Sequence, residues 1–279
     1  MSNPFEASQA DVHDPAPRVR LGEVLTDGTV RAVRHLPHFF AAALVLMAGY
    51  LVSLLALCVG LLFTLPHLLY GLYRFTLSVA DGRPTMSKLW SGQRDPVGIF
   101  LSGWGVFLLL AVVMSPSVMA SVAGQLAAER EMIPAWAGTV APALMGALWA
   151  GMVAPLLYAP YVWADRDASP VEAFGLALDA MKASWGSLAV IAVLTQVVLL
   201  PNAFFSIYLE QQQAVLLTAT PDEAMGLLTE MFGAIAVLYS LLFVGGTVSS
   251  MWTAVAYRQV FPAAQAPNVD ELAAGEPPV

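Results

Sequence analysis

The placement of the basic residues is the feature that most constrains how this chain can fold. Eleven of its twelve Lys and Arg residues fall into alternate gaps between very apolar stretches, and only Arg130 breaks the pattern. Because short cytoplasmic loops are enriched in Lys and Arg, this alternation predicts how the chain is threaded through a membrane. The clusters are Arg18, Arg20, Arg31 and Arg34; Arg74, Arg83, Lys88 and Arg94; Arg166 and Lys182; and Arg258.

The apolar stretches are long enough to cross a bilayer as helices. Residues 36–73, 96–128, 132–164, 183–209 and 231–257 contain no Asp, Glu, Lys or Arg. Each run exceeds the roughly 20 residues that a helix needs to cross about 30 Å of hydrocarbon. A membrane barrel would show alternating segments of about 10 residues instead. The sequence therefore predicts an all-α, polytopic transmembrane helix bundle.

The first apolar run decides the number of crossings. A single helix over residues 36–73 would be about 57 Å long at 1.5 Å per residue, far more than the hydrocarbon core requires. With one crossing, five basic residues would lie on one side of the membrane and seven on the other. With a hairpin, eleven would lie on one side and one on the other. The hairpin agrees with the enrichment of basic residues on the cytoplasmic side. Gly60 and Pro66 offer places to turn the chain.

This topology predicts six spans, an inner (plasma) membrane location and two cytoplasmic termini. Polar cytoplasmic segments at about 20–35, 84–95 and 169–183 would each precede one membrane hairpin, giving three units. Residues 18–262 would form the transmembrane domain, with disordered tails over 1–17 and 263–279, which are rich in Pro, Ala and acidic residues. The predicted spans are about 38–59, 62–80, 97–121, 138–163, 185–207 and 230–256.

Three capping sequences predict helix starts independently of hydropathy. Asp95 precedes a proline, which suits an N-cap followed by the first helical position. Residues 169–172 and 220–223 read Ser-Pro-Val-Glu and Thr-Pro-Asp-Glu, each a capping box with proline at its first helical position. The first box should open a short helix that ends near residue 182, and the second a helix that continues into the sixth span.

Two sets of polar residues are candidates for binding. Thr195, Gln196 and Asn202 lie nearest the middle of the membrane, where they could line a cavity or bond to a neighbouring helix. A second set could contact anionic lipid headgroups. Its members are Arg74, Arg83, Lys88 and Arg94.

The remaining motifs predict neither a metal site, a bound cofactor nor a catalytic centre. His35, His38 and His67 have no carboxylate beside them in the sequence, which is a poor ligand set for a metal. No nucleophile–His–acid set or phosphate loop stands out. The basic residues are not concentrated on one face, so nucleic acid is not a predicted partner.

Small residues recur at four-residue intervals in the fourth and sixth predicted spans. Such spacing lets helix backbones approach each other in lipid. These spans are therefore the predicted centre of the bundle. The residues are Ala143, Ala147 and Gly151; Gly146, Ala150 and Ala154; Gly245 and Ser249; and Gly246 and Ser250.

Two groups of short motifs resemble uncharacterised bacterial six-helix membrane families. The first is Pro-His-Leu-Leu-Tyr-Gly at 66–71, with Asp81-Gly82 and Leu-Trp-Ser-Gly at 89–92. The second comprises residues 155–158, Tyr161, Ala164-Asp165, the capped segment 169–173 and Met181-Lys182. These families are similar to the membrane domain attached to some glycerophosphodiester phosphodiesterases. The resemblance covers about residues 60–190 and implies the six-helix architecture without implying an activity.

The sequence favours a non-enzymatic accessory or scaffold subunit of a membrane assembly. Its expected partners are membrane lipids and either another membrane protein or a second copy of the chain. The alternative is a permease-like protein or channel for a small neutral or lipidic solute, with a cavity around Gln196, Asn202 and a fourth span that Pro155 and Pro160 would bend. A lipid-modifying enzyme is a third hypothesis, and it requires His67, Arg74 and an acid such as Asp81 or Asp165 to be adjacent.

Overall fold

The computed structural model describes residues 18–55, 59–216 and 220–263, and within these ranges the chain forms helices and turns without a strand. The predicted tails lie outside the described residues, apart from Ala263. Three 3-10 segments, Met86–Arg94, Ala154–Tyr158 and Lys182–Ser184, connect longer helices. The α-helices are α1 (Leu21–Arg34), α2 (Leu36–Leu55), α3 (Val59–Ala80), α4 (Pro96–Glu129), α5 (Ala135–Met152), α6 (Ala159–Arg166), α7 (Pro170–Met181), α8 (Trp185–Leu216) and α9 (Pro221–Val260).

The first apolar run forms two antiparallel helices, as the charge distribution predicts. The hydroxyl oxygens of Ser53 in α2 and Thr64 in α3 are 2.6 Å apart. Farther along, the rings of Phe39 and Phe75 meet with their centroids 5.3 Å apart. Residues near the end of α2 therefore contact residues near the start of α3, and residues near the start of α2 contact residues near the end of α3, so the two helices are antiparallel. That both helices cross a membrane stays a prediction.

Two further antiparallel pairs complete the architecture. In the α4–α5 pair, the indole N–H of Trp149 donates to the carbonyl of Val113 over 2.7 Å, and Gly124 lies against Gly138. In the α8–α9 pair, Gly245 lies against Val198. The fold is therefore built from three helical hairpins.

The predicted caps open the helices that they were expected to open. The Asp95 carboxylate accepts a bond from the Gly98 N–H over 3.0 Å at the start of α4. At the starts of α7 and α9, Glu172 and Glu223 reach back to the backbone N–H of the N-cap residue. α9 continues without a break for 40 residues, from its cap through the sixth predicted span.

Among the described residues, four stretches are long and apolar enough to cross a membrane: Leu36–Leu54, Pro96–Glu129, Pro170–Val198 and Glu223–Val260. Helix α3 (Val59–Ala80) is not among them. Between 6% and 28% of the residues in the four apolar windows are buried inside the protein. Their outward apolar surface suits a lipid environment, so the fold is that of a helical membrane protein.

The fourth predicted span is broken. Trp136–Met152 and Ala154–Arg166 meet at an angle of 82°, and together they give a fifth candidate crossing. The break places the 3-10 segment Ala154–Tyr158 and helix α6 inside the protein, where every residue from Tyr158 to Ala164 is buried. The bend predicted for the span over residues 138–163 is thus present as a sharp break, and that the bent pair crosses the membrane as one span stays a prediction.

The core lies at the end of the hairpins that carries most of the basic residues, which we call the basic end. Here Trp163, Tyr70, Phe75 and Tyr257 are fully buried. Long-range contacts join the polar segments to one another: the Arg20 N–H donates to Gln259 over 2.8 Å, and the Val19 N–H donates to Ser184 over 2.8 Å. The basic end comprises α1, the C-terminal ends of α3 and α9, Met86–Arg94, α6 and α7.

Candidate functional site

Arg258 joins two acidic residues from distant parts of the chain at the basic end. Its guanidinium contacts both carboxylate oxygens of Asp81 at 2.7 and 3.0 Å and both of Asp165 at 2.7 and 3.0 Å. The Tyr257 hydroxyl also donates to Asp165 over 2.9 Å. Paired charge-assisted bonds of this kind are strong and fix geometry. The network, called the Arg258 bridge below, ties the end of α9 to the end of α3 and to α6.

The lipid-modifying hypothesis requires His67, Arg74 and an acidic residue to be adjacent, but His67 and the two acidic residues have other partners. Asp81 and Asp165 are both bound by Arg258. The His67 ring instead lies between two carbonyl oxygens, 2.8 Å from that of Phe63 and 3.0 Å from that of Pro96. The required set is therefore not assembled around His67.

The other two predicted histidines lie at the junction of α1 and α2. The rings of His35 and His38 have centroids 5.5 Å apart. Burial, and then the nearby His38 and Arg34, lower the pKa of His35. Within the ranges that the structure describes, no three His, Cys, Asp or Glu side chains are grouped to hold a metal ion.

A partly open cavity of about 280 Å³ lies among α3, the 3-10 segment Ala154–Tyr158, α6, α8 and α9, and we call it the bundle cavity. Two of the predicted polar residues, Thr195 and Gln196, line it from α8. The third, Asn202, has a side chain outside the described ones. The other lining residues are Leu72, Tyr73, Leu157, Tyr158, Tyr161, Ile191, Ala192, Ser249, Ser250 and Thr253.

The bundle cavity is polar but carries no ionisable acid or base among its described lining residues other than tyrosine. The Tyr158 hydroxyl is buried and has no hydrogen-bond partner in the described part of the chain. The Tyr161 hydroxyl donates to the Ser250 carbonyl over 3.4 Å. A buried hydroxyl without a partner costs about 1–3 kcal/mol. The Tyr158 hydroxyl is not exposed to the cavity, so the polar groups available to a neutral occupant are those of Thr195 and Gln196 and of the serine and threonine residues of α9.

The small residues bring α5 and α9 against α8. Gly151 of α5 lies against Ala189 and Val193 of α8, and Gly245 of α9 lies against Val198. The close approach is therefore as predicted, but α8 lies between the two helices. Both helices pack on α8 rather than extensively on each other, and the place of the fourth and sixth spans at the centre of the bundle stays a prediction.

Arg74, a predicted lipid contact, lines a second cavity of about 700 Å³ at the basic end, called the polar pocket. Its guanidinium donates to the Tyr70 hydroxyl over 3.0 Å, and that hydroxyl donates to Asp167. The side chains of Arg83 and Lys88 are exposed, whereas that of Arg94 lies outside the described ones. Of the four predicted lipid contacts, only Arg74 is placed in a cavity by the described residues.

Sequence reasoning did not select Tyr158 or Asp167 as site residues. Tyr158 belongs to the Pro- and Tyr-rich motif at 155–161, but tyrosines near span ends are usual at membrane interfaces. Asp167 has a positive φ of 52°, a conformation in which Asp is enriched among residues other than glycine. Residue spacing alone predicts neither the buried position of Tyr158 nor the positive φ of Asp167.

Comparisons with protein-family models, with curated proteins and with solved structures found no match. The resemblance to six-helix bacterial families therefore stays a prediction of the sequence.

Proposed function

We propose that this protein is a permease-like membrane protein that binds a small neutral polar solute in the bundle cavity. The observation that carries the proposal is a cavity lined by Thr195 and Gln196 of α8 and by hydroxyl side chains of α9, with no Asp, Glu, Lys, Arg or His among its described lining residues. The proposal includes six crossings of the inner membrane with both termini in the cytoplasm, as the positions of the basic residues favour.

The size and charge of the cavity define the class of solute. A volume of about 280 Å³ exceeds the roughly 30 Å³ that one water occupies in the liquid. A charged solute would find no opposite charge among the described lining residues, and an unpaired charge is costly away from water. Hydroxyl and carboxamide groups instead suit a polyol or an amide.

The broken helix supports a binding role for this region. The 82° break between α5 and the segment that follows comes five residues before Tyr158. Transporter sites are often formed where a membrane helix is interrupted, because the interruption brings backbone and side-chain polar groups into the protein interior. The break therefore explains how Tyr158 and Tyr161 come to face α8.

An accessory or scaffold role, with another membrane protein or a second copy as partner, is the other proposal. It is favoured by the extensive outward apolar surface of the described spans, which leaves large helix faces for lipid or a partner. The bundle cavity favours solute binding over scaffolding alone. The two proposals predict different results for the isolated protein in a vesicle, because a permease speeds the entry of a solute and a scaffold does not.

Replacing Gln196 with leucine is expected to slow solute passage about tenfold, the effect of losing about 1.4 kcal/mol of interaction. Leucine is close to glutamine in size but cannot hydrogen-bond to a solute. The measurement is stopped-flow light scattering on vesicles that contain the full chain, with glycerol, erythritol and urea as probes. Wild-type protein should speed at least one probe over protein-free vesicles.

Val197→Ala is the matched control, since Val197 is the next residue of α8 and its side chain is 48% exposed. This variant should pass solutes at the wild-type rate. Vesicles with wild-type protein that admit all three probes no faster than empty vesicles would remove the permease proposal and leave the scaffold role.

Replacing Tyr158 with phenylalanine is expected to stabilise the solute-free protein by about 1 kcal/mol, because it removes a buried hydroxyl without a described partner. Tyr161→Phe should have the opposite sign, since it removes a bond to the Ser250 carbonyl. Thermal unfolding of both variants in the same detergent provides the comparison. A destabilised Tyr158→Phe protein would show that its hydroxyl is bonded after all.

A further inference from the structure

We propose that a zwitterionic phospholipid with a primary ammonium headgroup binds at the basic end, where the polar pocket adjoins an apolar groove on the outside of α3 and α4. This site is separate from the bundle cavity and does not depend on the permease proposal. Phosphatidylethanolamine has the required chemistry: a phosphate, a primary ammonium and acyl chains.

The apolar groove is suited to an acyl chain. It has a volume of about 630 Å³ and lies between α3 and α4 next to the 3-10 segment Met86–Arg94. Phe63 and Phe100 stack with their ring centroids 4.9 Å apart and form part of its wall. Trp90, 51% exposed, lies at the groove, in keeping with the usual position of tryptophan at headgroup level.

The polar pocket and the groove share a wall. Leu101 lines both cavities. At the start of α4, Pro96 and Val97 line the groove while Asp95 and Gly98 line the polar pocket. An amphiphile can therefore place its polar part in one cavity and its apolar part in the other.

Arg74 is positioned to bind the phosphate. Its guanidinium lies over the Tyr70 ring, 5.3 Å from the centroid, and donates one bond to the Tyr70 hydroxyl. Arginine has five N–H donors, and Arg74 forms no salt bridge with a carboxylate of the described residues. The remaining donors suit phosphate oxygens, which arginine binds in a bidentate manner.

The carboxylates of the pocket select the rest of the headgroup. Asp167 accepts from the Tyr70 hydroxyl and Asp95 accepts from the Gly98 N–H, each through its Oδ1 atom. With one guanidinium and two carboxylates among its described lining residues, the pocket would repel a headgroup that is only anionic. A primary ammonium has three donors for these carboxylates, whereas a quaternary ammonium has none.

The test is native mass spectrometry of the detergent-purified full chain, titrated separately with phosphatidylethanolamine, phosphatidylglycerol, phosphatidylcholine and soluble phosphoethanolamine. The wild-type protein should retain phosphatidylethanolamine about tenfold more tightly than the other two lipids. Arg74→Gln should weaken this binding about tenfold, and Asp167→Asn should remove the preference over phosphatidylglycerol. Arg20→Gln, at an exposed position of the same end, should change neither the binding of phosphatidylethanolamine nor the preference over phosphatidylglycerol.

Several results would overturn the proposal. Equal retention of the three lipids, or tighter binding of phosphatidylglycerol, would mean that the carboxylates do not select the headgroup. Phosphoethanolamine binding as tightly as the lipid would mean that the groove does not contribute. An equal loss in Arg20→Gln and Arg74→Gln would indicate general attraction to the basic end. The lipid preference is measured on wild-type protein, so this measurement can contradict the proposal even where a variant folds poorly.

Discussion

Arg258→Leu is expected to destabilise the protein by about 2 kcal/mol, between the values of about 0–1 kcal/mol for exposed ion pairs and about 3–5 kcal/mol for buried ones, because it leaves two partly desolvated carboxylates uncompensated. The side chains of Asp81 and Asp165 are only 27% and 23% exposed, and that of Arg258 is 14% exposed. The substitution leaves both carboxylates without their cation. Thermal and denaturant-induced unfolding in detergent measure the loss.

Two comparisons test the cause of this loss. Lys182→Gln breaks an ion pair with Asp179 in which the side chains are 61% and 75% exposed, and exposed pairs of this kind contribute about 0–1 kcal/mol. Adding Asp81→Asn and Asp165→Asn to Arg258→Leu should recover much of the stability, because the unpaired charges are then gone. A loss in Arg258→Leu no larger than that in Lys182→Gln would contradict a structural role for the Arg258 bridge.

The features that could be predicted from the sequence are those governed by local chemistry. Asp95, Glu172 and Glu223 act within one helical turn of the helix start, so the positions of the caps follow from spacing alone. The first hairpin follows from charge, because a single crossing would leave basic residues on both sides of the membrane.

The sequence predicts a bend of the fourth span at Pro155 and Pro160, but the size of the break after α5 could not be predicted, because proline does not by itself interrupt a membrane helix. Pro66, Pro116, Pro142 and Pro201 all lie inside continuous helices of this structure. Neighbouring helices and local adjustments satisfy the carbonyls that proline frees. At residue 153 the chain turns by 82° and buries Trp163 against α3 and α4, a tertiary effect that spacing does not reveal.

The candidate sites likewise contain some residues that could be predicted from the sequence and some that could not. Thr195 and Gln196 could be selected because polar residues are rare in an apolar run. The Arg258 bridge could not, since Asp81 and Asp165 are 177 and 93 residues from Arg258. The sequence also could not pair Tyr70 with Asp167, 97 residues apart. Those pairings depend on how three hairpins meet at one end.

Gly71→Ala is expected to destabilise the protein by about 3 kcal/mol, because overpacking that forces the backbone to shift costs this much. Gly71 of α3 is buried against the 3-10 segment Met86–Arg94. A Cβ atom at this position would be 2.7 Å from the carbonyl carbon of Leu89 and would also collide with its oxygen. The backbone of the segment must therefore move, which thermal unfolding in detergent would register.

Gly175→Ala is the matched control, because Gly175 lies in α7 and an added Cβ atom there meets nothing within 4 Å. Alanine is favoured over glycine inside a helix by about 0.5–1 kcal/mol, so this variant should be slightly more stable than wild type. The segment displaced by Gly71→Ala carries Trp90 of the apolar groove and Ser91 of the polar pocket. Gly71→Ala should therefore also weaken the retention of phosphatidylethanolamine, whereas Gly175→Ala should not. Unchanged stability in Gly71→Ala would mean that Met86–Arg94 is not held against α3 at this point.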